Sequence, residues 1–287
     1  MGPDVQYVLD TRTATDHFPG IGRYAYNLAR AMVPQLKGGE SLMLLRDPSA
    51  PSRWDLTPLA GGKATICDLP ASPFSASQQW SVRRALSRLG ADLYHSVYYL
   101  MPYRPGVPTV LTVYDQIPVL FPHHVSLQAS LLYRWATGLA LRASGHVITI
   151  SEAARKDYQQ VYRTAPEKFA AIPLAADPAF CPRPPAEVAG VRHKHGLPEG
   201  YVLYLGSNKP HKNLVRLADA WAQIQPESVP LVIAGAWDSR YPRVRQRVQE
   251  LGLDGAVLWL GPVAELDLPA LYTGATLFVF PSLYEGF

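Results

Sequence analysis

The sequence is poor in cysteine, and this shortage excludes several classes of protein. The two cysteines, Cys67 and Cys181, stand far apart and lack the spacing of metal ligands. Neither a disulfide framework nor a cysteine-based metal site is therefore indicated. The first ten residues also lack the charged-then-apolar pattern of a secretion signal. We expect a cytoplasmic protein from these two observations.

Long apolar runs are missing as well. The longest mainly apolar segment, 125–143, carries Gln128, Arg134 and Arg142, which indicates an amphipathic helix and argues against a membrane span. A P-loop is excluded because neither Gly-Lys-Ser nor Gly-Lys-Thr occurs.

The surplus of positive charge lies in one part of the chain. The formal net charge is +4, and the excess of Lys and Arg falls within residues 1–175. No basic run with interleaved aromatic residues occurs, so nucleic acid is not an expected partner. Residues 78–89 form a basic amphipathic segment with Trp80 near its start. This segment either rests on a bilayer, as a peripheral contact at the inner face of the membrane, or packs on a sheet with its arginines in water.

What the sequence does contain is a repeated alternation of strand and helix patterns. Such alternation is typical of an α/β fold with parallel sheets covered on both faces. The predicted strands are 5–10, 41–46, 93–95, 109–113, 147–150, 170–173, 201–205, 231–235, 257–260 and 276–281. The predicted helices are 22–33, 76–89, one from 125, one after Ser151 as cap, 211–224, 241–251 and 266–272. A proline-rich stretch lies between the two alternations, so we predict domains at 1–175 and 200–287 joined by a linker at 176–199.

Three loops that follow predicted strands carry residues suited to a phosphorylated ligand. Gly20 and Gly22 open a helix and let backbone N–H groups approach an anion, unless they only form a tight turn. Lys212 is predicted in the first turn of a helix, where a cation and free N–H groups form a diphosphate site; the alternative is a solvated lysine. Glu285 follows a buried strand at the carboxyl edge of the sheet, where it accepts hydrogen bonds from sugar hydroxyls, unless it is only an exposed loop residue.

Several short motifs occur in an order that is typical of a known family. Gly-Ile-Gly-Arg-Tyr (20–24), Thr-Val-Tyr-Asp (112–115) and Ile-Ser-Glu-Ala-Ala-Arg (150–155) come first. Gly-Ser-Asn-Lys-Pro-His-Lys-Asn (206–213), Leu-Val-Ile-Ala-Gly (231–235) and Pro-Ser-Leu-Tyr-Glu-Gly-Phe (281–287) follow. Over essentially its whole length, the chain resembles family-4 retaining glycosyltransferases of the GT-B architecture, in which two Rossmann-like domains face a cleft. It is most similar to bacterial transferases of mannose, rhamnose and related sugars of surface polysaccharides.

The resemblance implies a set of site residues. Lys212 would hold the donor diphosphate, and Glu285 would be the first acid of a paired-glutamate motif; both are the expected catalytic residues. The expected donor-binding set is Ser207, Lys212, Glu285, Gly286, Phe287 and Tyr114. The expected acceptor and cleft set is Gly20, Gly22, Arg23, Asp115, Ser151 and Arg155. The second acid of the motif would follow eight positions after Glu285, so the second domain is expected to be incomplete and this chain to bind donor weakly.

Three positions depart from the family pattern. Ser207 stands where an arginine is frequent, which leaves more of the phosphate charge to Lys212. His211 replaces another frequent arginine and is cationic only part of the time near neutral pH. Tyr114 occupies the position of a histidine that touches the donor sugar in relatives, so the positioning of the sugar is open there.

The implied reaction is retaining transfer from a nucleotide-diphospho-sugar, with GDP-mannose favoured, to a hydroxyl of a glycan or lipid-linked acceptor. No cofactor and no metal are expected to take part. Two alternatives remain open: another GT-B enzyme of nucleotide-sugars, such as an epimerase or a hexose-phosphate synthase, or a non-catalytic homologue that binds a sugar or a partner.

Overall fold

The computed structural model describes residues 4–122, 125–224 and 229–287; Met1–Pro3, at the start of the segment without a signal pattern, lie outside these ranges. The chain divides into two compact units. The first comprises Met1–Leu174 together with Gly286–Phe287, and the second comprises Ala175–Glu285. No helix in the described ranges combines the length and the apolar composition that crossing a bilayer requires.

The first unit contains a parallel sheet of seven strands. Their order is β3-β2-β1-β4-β5-β6-β7, so the direction of strand addition reverses between β1 and β4. The strands are β1 (Val5–Asp10), β2 (Glu40–Arg46), β3 (Ala64–Asp68), β4 (Leu93–Ser96), β5 (Thr109–Val113), β6 (His146–Thr149) and β7 (Phe169–Ala171). The helices are α1 (Pro19–Met32), α2 (Gln78–Leu89), α3 (Ile117–Leu120), α4 (Leu127–Ala143) and α5 (Glu152–Tyr162).

Local chemistry explains where these helices begin and end. Pro19 occupies the first turn of α1, where its missing N–H costs nothing. Ser126 and Ser151 cap α4 and α5, because each hydroxyl accepts a hydrogen bond from the backbone N–H three residues later. The helix α2 ends at Leu89, and Gly90 after it takes the left-handed conformation with φ of 61°.

The second unit contains a smaller parallel sheet of four strands in the order β10-β9-β8-β11. Its strands are β8 (Val202–Leu205), β9 (Leu231–Ala234), β10 (Val257–Gly261) and β11 (Leu277–Phe278). Its helices are α6 (Pro185–His195), α7 (Leu214–Ile224), α8 (Arg243–Glu250) and α9 (Leu268–Gly274). The order again reverses next to the first strand, between β8 and β11.

The predicted alternation of strands and helices is confirmed, and the differences have local causes. The edge strand β3 is missing from the prediction because half-exposed residues give it a weak apolar pattern. The segment 176–199, predicted as a linker, contains α6, whose prolines stand at its beginning, where a helix tolerates them. The terminal strand is shorter than predicted, with hydrogen-bonded register only at Leu277 and Phe278.

A buried polar network lies at the carboxyl ends of β1 and β4. The Asp10 carboxylate accepts hydrogen bonds from the Arg12 guanidinium at 2.6 Å and the Tyr94 hydroxyl at 2.5 Å. Burial alone would raise the pKa of Asp10, but the charge and hydrogen bonds of Arg12 hold it below its ordinary value. Arg12 also donates to the Ala71 carbonyl at 2.7 Å, so the network fixes the chain that leads into α2.

His95 lies at the end of β4, with its Nε2 atom 2.8 Å from the Thr112 hydroxyl. Burial lowers the pKa of His95 to about 4, because the charged imidazolium is poorly solvated there. At pH values between the ordinary pKa of histidine and about 4, the unfolded chain therefore binds more protons than the folded chain. Folding stability is retained above this window and is lost as the pH falls through it.

We expect the His95→Gln variant to lose less stability in acid than the parent protein. The lowered pKa of His95 corresponds to about 3 kcal/mol of stability lost by pH 4, and glutamine removes this contribution. The measurement is thermal unfolding by circular dichroism from pH 7 to pH 4, with the exposed His193→Gln as a matched control. An equal fall in Tm for His95→Gln and the parent would contradict the assignment.

Candidate functional site

The loop after β8 carries the first group of predicted site residues. It begins at Gly206, whose backbone lies against that of Gly235 after β9. Gly235 has φ of +123°, and a Cβ atom there would lie 2.2 Å from the Gly206 carbonyl oxygen. Only glycine therefore fits at Gly235. This close approach fixes the backbone from which Ser207 projects, and the Ser207 carbonyl accepts a hydrogen bond from the Tyr204 hydroxyl at 2.8 Å.

Lys212 lies just before α7 and not in its first turn, which corrects the predicted placement. Pro210–Lys212 form a short 3₁₀ turn, and Asn213 takes the left-handed conformation with φ of 61° before α7 begins at Leu214. The Lys212 N–H donates to the Lys209 carbonyl at 2.9 Å. Because this backbone N–H is already bonded within the protein, Lys212 can contact an anion only through its side chain.

The side chains of Lys212 and Glu285 form an ion pair. The Lys212 ammonium lies 2.7 Å and 2.9 Å from the two carboxylate oxygens of Glu285, and 5.2 Å from the centre of the Phe280 ring. The two side chains are only 16% and 26% exposed. A pair that is this well shielded from water has a stronger mutual attraction than a surface pair.

The loop after β11 is hydrogen-bonded to the loop after β8 along its length. The Leu283 N–H donates to the His211 carbonyl at 2.8 Å, and the Asn213 amide donates to the Pro281 carbonyl at 3.1 Å. The two predicted catalytic residues, 73 positions apart in sequence, are thereby held side by side at the carboxyl edge of one sheet.

In the first unit, Gly20, Gly22 and Arg23 lie in the first turns of α1. A Cβ atom at Gly22 would lie 2.7 Å from the Trp54 indole nitrogen, so this position requires glycine for packing. The Arg23 guanidinium lies 5.5 Å from the centre of the Trp54 ring. A Cβ atom at Gly20 would meet nothing within 4 Å. Gly20 therefore faces open space, while Gly22 is part of the core.

Asp115 follows β5 and is held by two tyrosines, of which Tyr158 is buried and Tyr133 is partly buried. Its backbone carbonyl accepts hydrogen bonds from the hydroxyls of Tyr133 at 2.7 Å and Tyr158 at 3.1 Å. Its carboxylate accepts a bond from the Ile117 N–H at 3.0 Å. The neighbouring backbone at Tyr114 packs against Gly286, where a Cβ atom would lie 2.7 Å from the Tyr114 carbonyl oxygen.

Tyr114 has a buried hydroxyl for which the described residues provide no hydrogen-bond partner. Its ring contacts that of Tyr24 edge to face at 5.7 Å, and burial raises its pKa well above the ordinary value. A buried donor without a partner is costly. A ligand hydroxyl is the kind of group that would satisfy it.

Ser151 and Arg155 lie at the start of α5, and neighbouring groups already occupy both. The Ser151 hydroxyl accepts from the Ala154 N–H and donates to the Gly286 carbonyl at 2.6 Å. Arg155 pairs with Glu152 at 2.7 Å. Gly286 and Phe287 belong to the first unit, with Gly286 buried and Phe287 66% exposed.

Sequence reasoning missed several residues that shape these loops. Asn208 is buried, and its amide donates to the carbonyls of Asp238 and Tyr241, both at 2.8 Å. Phe280 lies beside the Lys212 ammonium, and Trp54 lies against Gly22 and Arg23. An asparagine directly after a strand-ending Gly-Ser was a usable signal for Asn208. The two aromatic residues gave no signal, because their partners are distant in sequence.

Models of two protein families match the chain. The model described as Glycosyltransferase Family 4 matches residues 19–180, more than half of the chain, and the model described as Glycosyl transferases group 1 matches residues 191–287. The chain belongs to glycosyltransferase family 4. The family that the motifs indicated is therefore confirmed.

Named relatives of this family-4 chain include mannosyltransferases. It is 28% identical over 202 residues to O-antigen chain mannosyltransferase B of Escherichia coli, a match that covers 68% of this chain and 52% of the relative. It is 24% identical over 212 residues to O-antigen chain mannosyltransferase RfbU of Salmonella typhimurium, covering 72% and 55%. The chain thus spans about half the length of these relatives.

Solved structures support the fold of the family-4 chain. Sucrose-phosphate synthase from Thermosynechococcus elongatus matches with a TM-score of 0.73 at 20% identity, over 99% of this chain and 77% of that one. HepE from Anabaena, in complex with UDP and glucose, matches with a TM-score of 0.72 at 20% identity, over 99% and 76%. The predicted α/β fold of the GT-B class is confirmed.

We expect the Tyr114→Phe variant to be more stable than the parent and to bind sugar nucleotide less tightly. Removal of a buried hydroxyl without a partner should raise the free energy of unfolding by about 1 kcal/mol, whereas loss of a bond to a ligand should weaken binding about tenfold. Urea unfolding and titration calorimetry with GDP-mannose measure the two effects. The matched control is Tyr133→Phe, which loses a hydroxyl that is bonded within the protein and should be less stable. A Tyr114→Phe variant with unchanged affinity would contradict the assignment.

Proposed function

We propose that this chain carries the donor-binding and acceptor-binding residues of a retaining hexosyltransferase. It would transfer a sugar from a nucleotide-diphospho-sugar to a hydroxyl of a glycan or a lipid-linked acceptor. The observation that carries the proposal is the Lys212–Glu285 ion pair beside the switch point of the second sheet. Ligands of open α/β sheets bind at such points, outside the carboxyl ends of the strands.

The chemistry of the pair suits a sugar diphosphate. The Lys212 ammonium is a cation in a partly shielded position, where it stabilises the negative charge that develops on a departing diphosphate. Glu285 holds the ammonium in place and has further oxygen lone pairs for sugar hydroxyls. In a retaining transfer, the bond from the sugar to the diphosphate breaks and a bond to the acceptor oxygen forms on the same face. The proton of the acceptor hydroxyl passes to the departing phosphate oxygen.

The remaining predicted residues have complementary roles in the proposal. Ser207, next to the Gly206–Gly235 contact, would approach the diphosphate, and Tyr114 would use its buried hydroxyl on the sugar. Gly286 and Phe287 complete the proposed donor set. Gly20, with open space at its Cα, is the best-placed acceptor residue of α1. Gly22, Arg23, Asp115, Ser151 and Arg155 are engaged with protein groups, so their proposed role is to shape the acceptor side.

A mannosyl donor is the favoured sugar nucleotide. Two relatives that each match about 70% of this chain are named as O-antigen chain mannosyltransferases, and this supports GDP-mannose and a surface polysaccharide acceptor. A phosphorylated sugar is the second candidate acceptor, because mannosylfructose-phosphate synthase of Agrobacterium fabrum is 33% identical over 120 residues. Assays with GDP-mannose and either a lipid-linked glycan or a hexose phosphate separate the two.

We expect Lys212→Ala to reduce kcat/KM by about 10²- to 10³-fold, because it removes a charge that stabilises the leaving group. Lys209→Ala, three residues earlier in the same loop and exposed, is the matched control and should remain close to the parent. Steady-state transfer from radiolabelled GDP-mannose gives both values, and calorimetry gives donor affinity. Equal activity of Lys212→Ala and Lys209→Ala would refute the role of Lys212. Donor binding without any transfer would favour the non-catalytic alternative.

Retention is tested separately by the configuration of the product. With an α-linked nucleotide donor, proton NMR of the new glycosidic bond should show an α anomeric signal from the first turnover. A β anomeric product would exclude the retaining mechanism and leave the transferase assignment intact.

A further inference from the structure

One arginine of the second unit lies in a corner formed by two tryptophan rings. The central carbon of the Arg245 guanidinium is 4.3 Å from the centre of the Trp237 ring and 5.0 Å from that of the Trp259 ring. The two rings meet edge to face, with their centres 5.5 Å apart. Because these contacts already hold the arginine side chain in place, it would lose little freedom on binding a ligand.

Arg245 differs from the other arginines of α8 in having no acidic partner. Arg243, two residues earlier, pairs with Glu250, and Arg247, two residues later, pairs with Asp219 at 2.6 Å. Among the residues that the structure describes, none forms an ion pair with Arg245 or accepts a hydrogen bond from its side chain. The N–H donors of its guanidinium are therefore available to a ligand.

Arg245 lies at the carboxyl edge of the second sheet, where three neighbouring strands end in glycine. It lines a small cavity together with Gly206 after β8, Gly235 after β9 and Gly261 at the end of β10. The cavity measures about 20 Å³, enough for about one water molecule, so a larger ligand would lie across its mouth. A Cβ atom at Gly261 would meet nothing within 4 Å. The space beside this strand end is therefore open to a ligand.

The strand order sets the distance between this corner and the Lys212–Glu285 pair. The pair belongs to the loops after β8 and β11, whereas Arg245 lies at the ends of β9 and β10. In the order β10-β9-β8-β11, two strand spacings, or about 10 Å, separate the two places. A diphosphate held at Lys212 is too short to span this distance, but the base of a nucleoside diphosphate reaches it.

We propose that Arg245 recognises the guanine base of the sugar nucleotide. This inference rests on the proposed function, which puts the donor diphosphate at Lys212. The planar fork of a guanidinium donates two hydrogen bonds to O6 and N7 of guanine, which are adjacent acceptors on one edge of the base. Uracil has no such pair of acceptors, because its N3–H donor lies between its two carbonyl oxygens. Arg245 is thus a specificity-determining residue that selects GDP-linked over UDP-linked donors.

Titration calorimetry of the chain with GDP and with UDP, up to millimolar concentration, tests the inference. We expect the parent to bind GDP about tenfold more tightly than UDP. Arg245→Gln removes the guanidinium and should bind the two nucleotides equally. Arg245→Lys keeps the positive charge but lacks the planar fork, so it should lose the preference as well.

Two further variants serve as controls, and circular dichroism establishes that each variant is folded. Arg243→Gln changes a 58% exposed arginine of the same helix and should keep the preference of the parent. Lys212→Ala should weaken GDP and UDP by the same factor, because the two nucleotides share the diphosphate.

The outcomes separate this inference from the proposed function. Equal binding of GDP and UDP by the parent, no binding of either, or a preference that Arg245→Lys retains would overturn the inference. So would equal weakening of both nucleotides by Arg245→Gln, since Arg245 would then bind the diphosphate. A GDP preference that Arg245→Gln abolishes, in a chain that transfers no sugar, would support the inference and contradict the proposed function.

Discussion

The candidate site depends on the parallel pairing of β11 with β8. Because both strands run in the same direction, the loops that follow them leave the sheet at the same edge, and residues from opposite ends of the second unit become neighbours. Two strand residues on each side, Val202–Leu203 and Leu277–Phe278, establish this pairing. The hydrogen bonds between the two loops then extend it to Lys212 and Glu285.

The partial burial of Lys212 and Glu285 strengthens the interaction between their charges. Each charge loses some of its hydration, and the partner compensates for that loss. In the proposed function, a diphosphate that approaches Lys212 would compete with Glu285 for the ammonium, so donor affinity would depend on how readily the pair exchanges partners. The same negative charge acts on Tyr204, whose pKa is raised by burial and by Glu285. The Glu285 carboxylate thus acts on both Lys212 and Tyr204.

The two units use the same topology with different consequences. In the first, the switch point between β1 and β4 is occupied by protein groups, with Arg12, Asp10 and Tyr94 forming a closed network. Such a network is stabilising only because every strong group in it has a partner. In the second unit, the loops that follow the neighbouring strands β8 and β9 meet at Gly206 and Gly235, which bring backbone close to backbone. The charged and hydroxyl side chains therefore give rigid packing in the first unit, and the glycines allow close backbone approach in the second.

The sequence by itself determined the α/β class, the family and the residue types of the site. Periodicity and loop motifs are local properties of the sequence, so they can be recognised without knowing which segments pack together. The prediction of Ser151 as a helix cap is confirmed for the same reason. Local patterns did not reveal α6 within the proline-rich stretch or the 3₁₀ turn that displaces Lys212 from α7. Only the tertiary structure decided that Lys212 pairs with Glu285, that Trp54 makes Gly22 obligatory and that Arg245 lies in a corner of two tryptophan rings. These facts depend on strand order and on packing between segments far apart in the chain, which no local pattern records.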